Sequence, residues 1–107
     1  MSISDVKVGL MIPTYNAGDE FKEIIKLIES QNIDFKLRKI IIDSESNDET
    51  TKIAVQNGFE VFNIEHKSFT HGLVRMKAIN ILNDCDYVFF MTQDVSLRKN
   101  ALQNLYN

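Results

Sequence analysis

Arg38-Lys39-Ile40-Ile41-Ile42-Asp43 runs directly into Ser44-Glu45-Ser46-Asn47-Asp48-Glu49. Three successive β-branched isoleucines read as a strand. A strand apolar on both faces belongs in the middle of a parallel sheet that is covered on both sides. The polar run then opens a helix. Ser46-Asn47-Asp48-Glu49 matches a capping box, with Ser46 as N-cap and Glu49 reaching back. The helix is expected to run to about Asn57, with Gly58 as its C′ residue.

The same unit recurs on either side. Val6-Lys7-Val8-Gly9-Leu10-Met11-Ile12 begins with alternation and becomes continuously apolar, which predicts a first strand. Pro13 is expected to end it, because proline cannot donate to a sheet ladder. Phe21, Ile24, Ile25 and Ile28 then fall on one face of a helix from about Asp19 to Ser30. Asp19 and Glu20 suit the positive end of its dipole. Downstream, Glu60 to Ile64 reads as a short strand. A helix follows from about Thr70 to Leu82, with Val74, Ala78, Ile81 and Leu82 inward. Tyr87-Val88-Phe89-Phe90-Met91 is the fourth strand, and Ser96 can cap a last helix carrying Leu97, Ala101, Leu102 and Leu105. Strands alternating with amphipathic helices predict an α/β fold, a Rossmann-like parallel sheet flanked by helices with right-handed crossovers. The 107 residues are read as a single domain.

Composition narrows the function. A net charge of −3 gives no general affinity for nucleic acid or acidic membranes. One cysteine, Cys85, excludes an internal disulfide, suits a reducing compartment and reads as a small core residue. No stretch is long and apolar enough to span a bilayer, and no signal peptide is recognised. There is no P-loop lysine motif, no glycine-rich dinucleotide fingerprint, no Cys/His set with zinc spacing and no nucleophile elbow.

Four polar clusters sit just past the apolar runs: Pro13-Thr14-Tyr15-Asn16, Asp43 to Asp48, His71-Gly72-Leu73-Val74-Arg75, and Thr92-Gln93-Asp94. Carboxyl ends of parallel strands share one sheet edge, and ligands bind there. Tyr15 can stack on a nucleobase or pack as a turn aromatic. Asn16 can hold its turn through its side chain. Asp43 can accept from a base N–H or a ribose hydroxyl, or brace its loop. Asp48 can be electrostatic support for a helix start. Arg75 can pair with a diphosphate through its planar fork, and Gly72 would let backbone approach the ligand. His71 can contact sugar or phosphate, or be structural. Asp94 can bind Mg²⁺ or Mn²⁺ with substrate phosphates, supplemented by Gln93, or cap the next helix.

Taken in order, these clusters resemble the inverting family 2 glycosyltransferases of GT-A fold, over almost the whole chain. Ile12-Pro13-Thr14-Tyr15-Asn16 is similar to the family's opening motif, and Ile42 to Thr50 to its acidic second-strand motif. Phe90-Met91-Thr92-Gln93-Asp94 takes the place of the Asp-x-Asp metal motif. Phe69-Thr70-His71-Gly72, Arg75 and Thr92-Gln93-Asp94 further resemble bacterial rhamnosyltransferases of cell-surface polysaccharide synthesis. The resemblance implies a nucleotide-binding set of Pro13, Thr14, Tyr15, Asn16, Asp43, Ser44, His71, Gly72, Arg75 and Gln93, with Asp94 on the metal. It implies a dTDP- or UDP-linked sugar as donor and a glycan or lipid-linked acceptor. It also implies a cytoplasmic location, peripheral at the inner membrane face for a full enzyme.

Three positions depart from the family pattern. The acidic pair after the second strand is Asp43-Ser44, so either can take the base contact. Met76 follows the arginine where asparagine is usual, and Asp94 stands alone in the metal motif. No residue matches the carboxylate base motif, which is expected beyond Asn107. The chain therefore reads as the donor-binding part of a larger transferase, inactive alone and able to self-associate through the face left open. A sugar-phosphate nucleotidyltransferase would carry basic residues in the first loop, and Pro13-Thr14-Tyr15-Asn16-Ala17-Gly18 has none. A nucleotide-binding module without chemistry is the other alternative.

Overall fold

The computed structural model describes residues 6–31 and 33–91. Its elements are β1 (Lys7–Thr14), α1 (Gly18–Glu29), β2 (Lys36–Asp43), α2 (Thr50–Gln56), β3 (Glu60–Asn63), a 3₁₀ turn (His66–Ser68), α3 (His71–Ile81) and β4 (Tyr87–Phe90). The four strands are parallel in the order β3-β2-β1-β4. The chain steps outward from β1 to β3, then returns past β1 to β4. Its direction therefore reverses between β1 and β4, the kind of switch point at which α/β sheets open a crevice.

Ile40, Ile41 and Ile42 are all fully buried, as expected of a central strand. Alternation divides them between two cores. Ile41 joins Leu10 and Ile12 under α1 and α2, together with Phe21, Ile24, Ile25, Ile28, Ile53 and Ala54. Ile40 and Ile42 join Met11 under α3, with Val74, Ala78 and Leu82. Ile81 is only partly buried against that second core. The helices thus lie on both faces of the sheet, α1 and α2 on one and α3 on the other. Gly9 makes the α3 packing possible, since a Cβ there would stand 2.8 Å from Leu82 Cδ1 and 3.1 Å from Cys85 Sγ. Cys85 packs at the border of that core, where burial chiefly pushes its thiol pKa up.

Two local expectations are corrected. Pro13 does not end β1; it pairs in register with Ile42, and the strand continues to Thr14. Odd residues of β1 direct their backbone groups toward β4, as Met91 N–H donating to Met11 O at 3.0 Å shows. Described pairing with β4 stops at Met11–Phe90. Pro13 therefore falls where no ladder donor is required, which removes the usual objection to proline in an inner strand. The capping box is also absent. α2 begins at Thr50, not Ser46, with Glu49 as an N-cap that makes no side-chain bond. Ser46 instead turns its hydroxyl toward Asp43 and Asn16. Gly58 does follow α2 in the left-handed region, at φ 82°. The remaining boundaries shift by one or two residues, and the helix expected from Ser96 lies outside the described residues.

At the amino edge of the sheet, Arg38 holds three elements. Its guanidinium forks onto Glu60 at 2.6 and 2.8 Å and reaches Asp84 and Ile81 O, both at 2.9 Å. The bond to Glu60 is the largest influence on either partner, raising the arginine pKa and lowering that of Glu60. This clamp stands opposite the edge that carries the polar clusters.

Candidate functional site at the carboxyl edge

The carboxyl ends of three strands are level: Thr14 pairs with Asp43, and Asp43 with Asn63. The loops leaving them therefore start side by side, and hydrogen bonds join them. Ser44 N–H donates to Thr14 O at 3.0 Å and its hydroxyl to the same oxygen at 3.2 Å. Asn16 N–H donates to Ser46 Oγ, and Asn16 Oδ1 accepts from Asn47 N–H, both at 2.8 Å. Asn16 was expected to hold its own turn; its side chain instead ties the first loop to the second. Its backbone sits at φ 45°, a region asparagine tolerates better than most residues.

The acids at this edge are largely committed to the loops. Asp43 is 1% exposed. It accepts from Thr14 Oγ1 at 2.7 Å, from Ser46 N–H at 2.8 Å and from the Ser46 hydroxyl. Asp48 accepts from Gly18 N–H at 3.1 Å through one oxygen and from both Thr50 N–H and the Thr50 hydroxyl through the other. Gly18 and Thr50 are the first residues of α1 and α2, so one carboxylate caps two helices, each with its dipole's positive end nearby. Burial pushes the Asp48 pKa up, but the bonds from Thr50 and Gly18 outweigh it and hold the pKa below the usual carboxylate value.

A cavity of about 250 Å³ opens above this floor, lined by Pro13, Thr14, Tyr15, Ser44, His66, Phe69 and His71. Two ring pairs flank it. Tyr15 stacks on His66 with centroids 4.1 Å apart and planes at 29°. Phe69 meets His71 edge-on at 5.5 Å. A smaller adjoining hollow shares Pro13 and His71 and adds Met11, Val74, Arg75, Phe90 and Met91. It opens where β4 pairing stops. Arg75 lies over the Phe90 ring, 5.7 Å from its centroid. Unlike Arg38, Arg75 has no carboxylate partner among the described residues. Thr70 caps α3, its Oγ1 accepting from Leu73 N–H at 3.1 Å. His71 and Gly72 stand in the first turn, where backbone N–H groups lack helical acceptors. A Cβ at Gly72 would meet nothing within 4 Å among the described residues.

Of the expected site residues, Pro13, Thr14, Tyr15, Ser44, His71 and Arg75 thus line two joined hollows. Asn16 and Asp43 stand beside them as loop braces, and Gly72 is exposed in the first turn of α3. Gln93 and Asp94 lie outside the described residues. Among those described, no three His, Cys, Asp or Glu are grouped to hold a metal. Asp43 and Asp48 already use both oxygens within the chain, and Glu45 accepts from His66 N–H through Oε1. The described residues alone therefore do not fit a divalent ion. His66 was missed as a site residue. The available signal was its place three residues beyond β3, whose end opens on the same edge.

Comparison with known proteins agrees with this architecture. The family model for glycosyl transferase family 2 matches residues 10–107. The O-antigen chain rhamnosyltransferase RfbN of Salmonella typhimurium is 39% identical over 102 residues, covering 94% of this chain and 32% of the relative. The O-antigen chain rhamnosyltransferase WbaN of Salmonella anatum is 37% identical over 98 residues, covering 90% and 31%. The chain thus spans about a third of the length of these relatives. The crystal structure of S. aureus TarS 1–349 in complex with UDP superimposes with a TM-score of 0.74 at 23% identity, covering 94% of this chain and 31% of that one. The GT-A sheet, the order of its motifs and the family match together show that this chain belongs to glycosyl transferase family 2.

Proposed function

We propose that the chain is the donor-binding part of an inverting glycosyltransferase, holding a nucleoside diphosphate sugar at the carboxyl edge of the sheet. The observation that carries this is the pair of joined hollows, one walled by rings and the other holding an arginine without an acid partner among the described residues. A flat base suits the first, where Tyr15 offers a stacking surface. The diphosphate suits the second, where Arg75 and the first turn of α3 present donors and positive charge. The likeness to O-antigen chain rhamnosyltransferases supports rhamnose as the transferred sugar and a cell-surface polysaccharide as acceptor.

In that reaction an acceptor hydroxyl attacks the anomeric carbon and the nucleoside diphosphate leaves. Tyr15 fixes the base. Arg75 offsets the charge that grows on the diphosphate as the bond breaks, which stabilises the transition state more than the ground state. Asp43 and Asp48, saturated by internal donors, are not placed to take the acceptor's proton. That base belongs to the acceptor-binding part of the proposed whole enzyme.

Calorimetric titration tests the reading. UDP or dTDP should bind more tightly than AMP or NAD. Arg75→Ala should weaken UDP and dTDP while leaving uridine and thymidine nearly unchanged. Absence of UDP and dTDP binding would refute the proposal, and equal losses for nucleoside and diphosphate would assign Arg75 to the fold.

A further inference from the structure

His66 is exposed, yet three groups from two other loops hold it. Its backbone N–H donates to Glu45 Oε1 at 2.7 Å. Its Nδ1 stands 3.3 Å from Ser44 Oγ, and its ring lies on Tyr15. The Ser44 hydroxyl gives its one proton to Thr14 O. The remaining contact therefore needs the proton on His66 Nδ1, with serine accepting. Glu45, which anchors the backbone of His66, itself sits at φ 63°, a left-handed conformation uncommon for glutamate. The sheet core does not require any of this. Its short 3₁₀ turn buries no residue. What the contacts achieve is to fix one ring against Tyr15 at the wall of the larger cavity.

Resting on the nucleotide-binding reading above, we infer that His66 is a positioning residue of the donor site: stacked on Tyr15 and locked by Ser44 and Glu45, it sets the plane of the tyrosine ring on which the base lies. A ring held in its plane before binding costs the ligand less to order. His66 lowers that cost by stacking on Tyr15 before binding. Its contribution is therefore to the base and not to the phosphates.

The test measures affinities of the full chain for thymidine, dTDP and inorganic pyrophosphate, with thermal unfolding recorded for each variant. His66→Ala should weaken thymidine and dTDP by the same factor, about 2- to 12-fold, the ordering cost of one side chain. Pyrophosphate affinity should not change. His66→Phe keeps a ring against Tyr15 and should recover most of the loss; His66→Gln keeps polar reach without a ring and should not. Unchanged dTDP affinity in His66→Ala would overturn the inference while leaving nucleotide binding by the parent intact. Tighter binding by His66→Ala would also overturn it, because the imidazole would then occupy the place of the base. Loss of pyrophosphate affinity in step with thymidine would reduce His66 to a general loop support. No dTDP binding by the parent would overturn the inference together with the reading beneath it.

Discussion

Asp48 joins the N-terminal ends of α1 and α2 through one carboxylate, and its bonds to Thr50 and Gly18 exist only in the folded chain. Asp48→Ala should cost about 0.5–2 kcal/mol, the usual range for a lost helix cap. The sign of its pH dependence follows from the lowered pKa. The stabilisation is fully present above the unfolded carboxylate value of about 3.9 and is lost as pH falls through the lower folded value. Denaturant unfolding of parent and variant should therefore converge at strongly acidic pH; a constant gap down to that pH would contradict the assignment. Tyr15 serves a different purpose. Tyr15→Ala should weaken dTDP by about 1–3 kcal/mol if the ring carries the base. An unchanged affinity, read by calorimetry, would return it to a turn aromatic. At this scale the sequence showed which residue types gathered at the edge but not how they divided the work. Asp43 ends a strand and Asp48 follows in the loop, and only the geometry reveals that internal donors take up both. His66 escaped notice because its importance lies in a stacking partner 51 positions away, which no local pattern encodes.

Elements were legible where hydrophobic period was strong. The face formed by Phe21, Ile24, Ile25 and Ile28 is buried as read, and so are the three isoleucines of β2. The failures lie where a neighbouring strand or loop overrides local chemistry. Pro13 stays in β1 because described β4 pairing stops at Met11, and strand lengths of distant neighbours are not written in a proline. Ser46 looked like an N-cap, but the adjoining β1 loop offers it Asn16, and Asp48 takes over the start of α2. Gly9 reads as an ordinary strand glycine until Leu82 is seen 2.8 Å from where a Cβ would stand. Gly9→Ala should therefore destabilise the sheet–α3 contact by about 1–3 kcal/mol through overpacking. Pairing it with Leu82→Ala should recover part of that loss in a double-mutant cycle. Strictly additive effects would show that the two positions do not share the space.

For the whole molecule, alternation of strands and helices was enough to anticipate a parallel sheet, and the clusters after the strands were enough to anticipate that the three described ones meet at one edge. The order β3-β2-β1-β4 was not written locally, since it depends on α3 crossing to the opposite face before β4 pairs with β1. That crossing places Arg75 and His71 beside Pro13, and it divides the edge into a ring-lined hollow and a cationic one. The molecule is thereby polarised. Its amino edge is closed by Arg38, Glu60 and Asp84, and its carboxyl edge opens into the proposed donor site. The central claim is the place at which a nucleoside diphosphate binds, and backbone amide NMR shifts during titration with dTDP test it most directly. The account predicts saturable shifts at Tyr15, Asn16, Ser44, His66, His71, Gly72 and Arg75, with Arg38, Glu60 and Asp84 unmoved. Shifts concentrated at the Arg38 edge, or none at any concentration of dTDP, would contradict it.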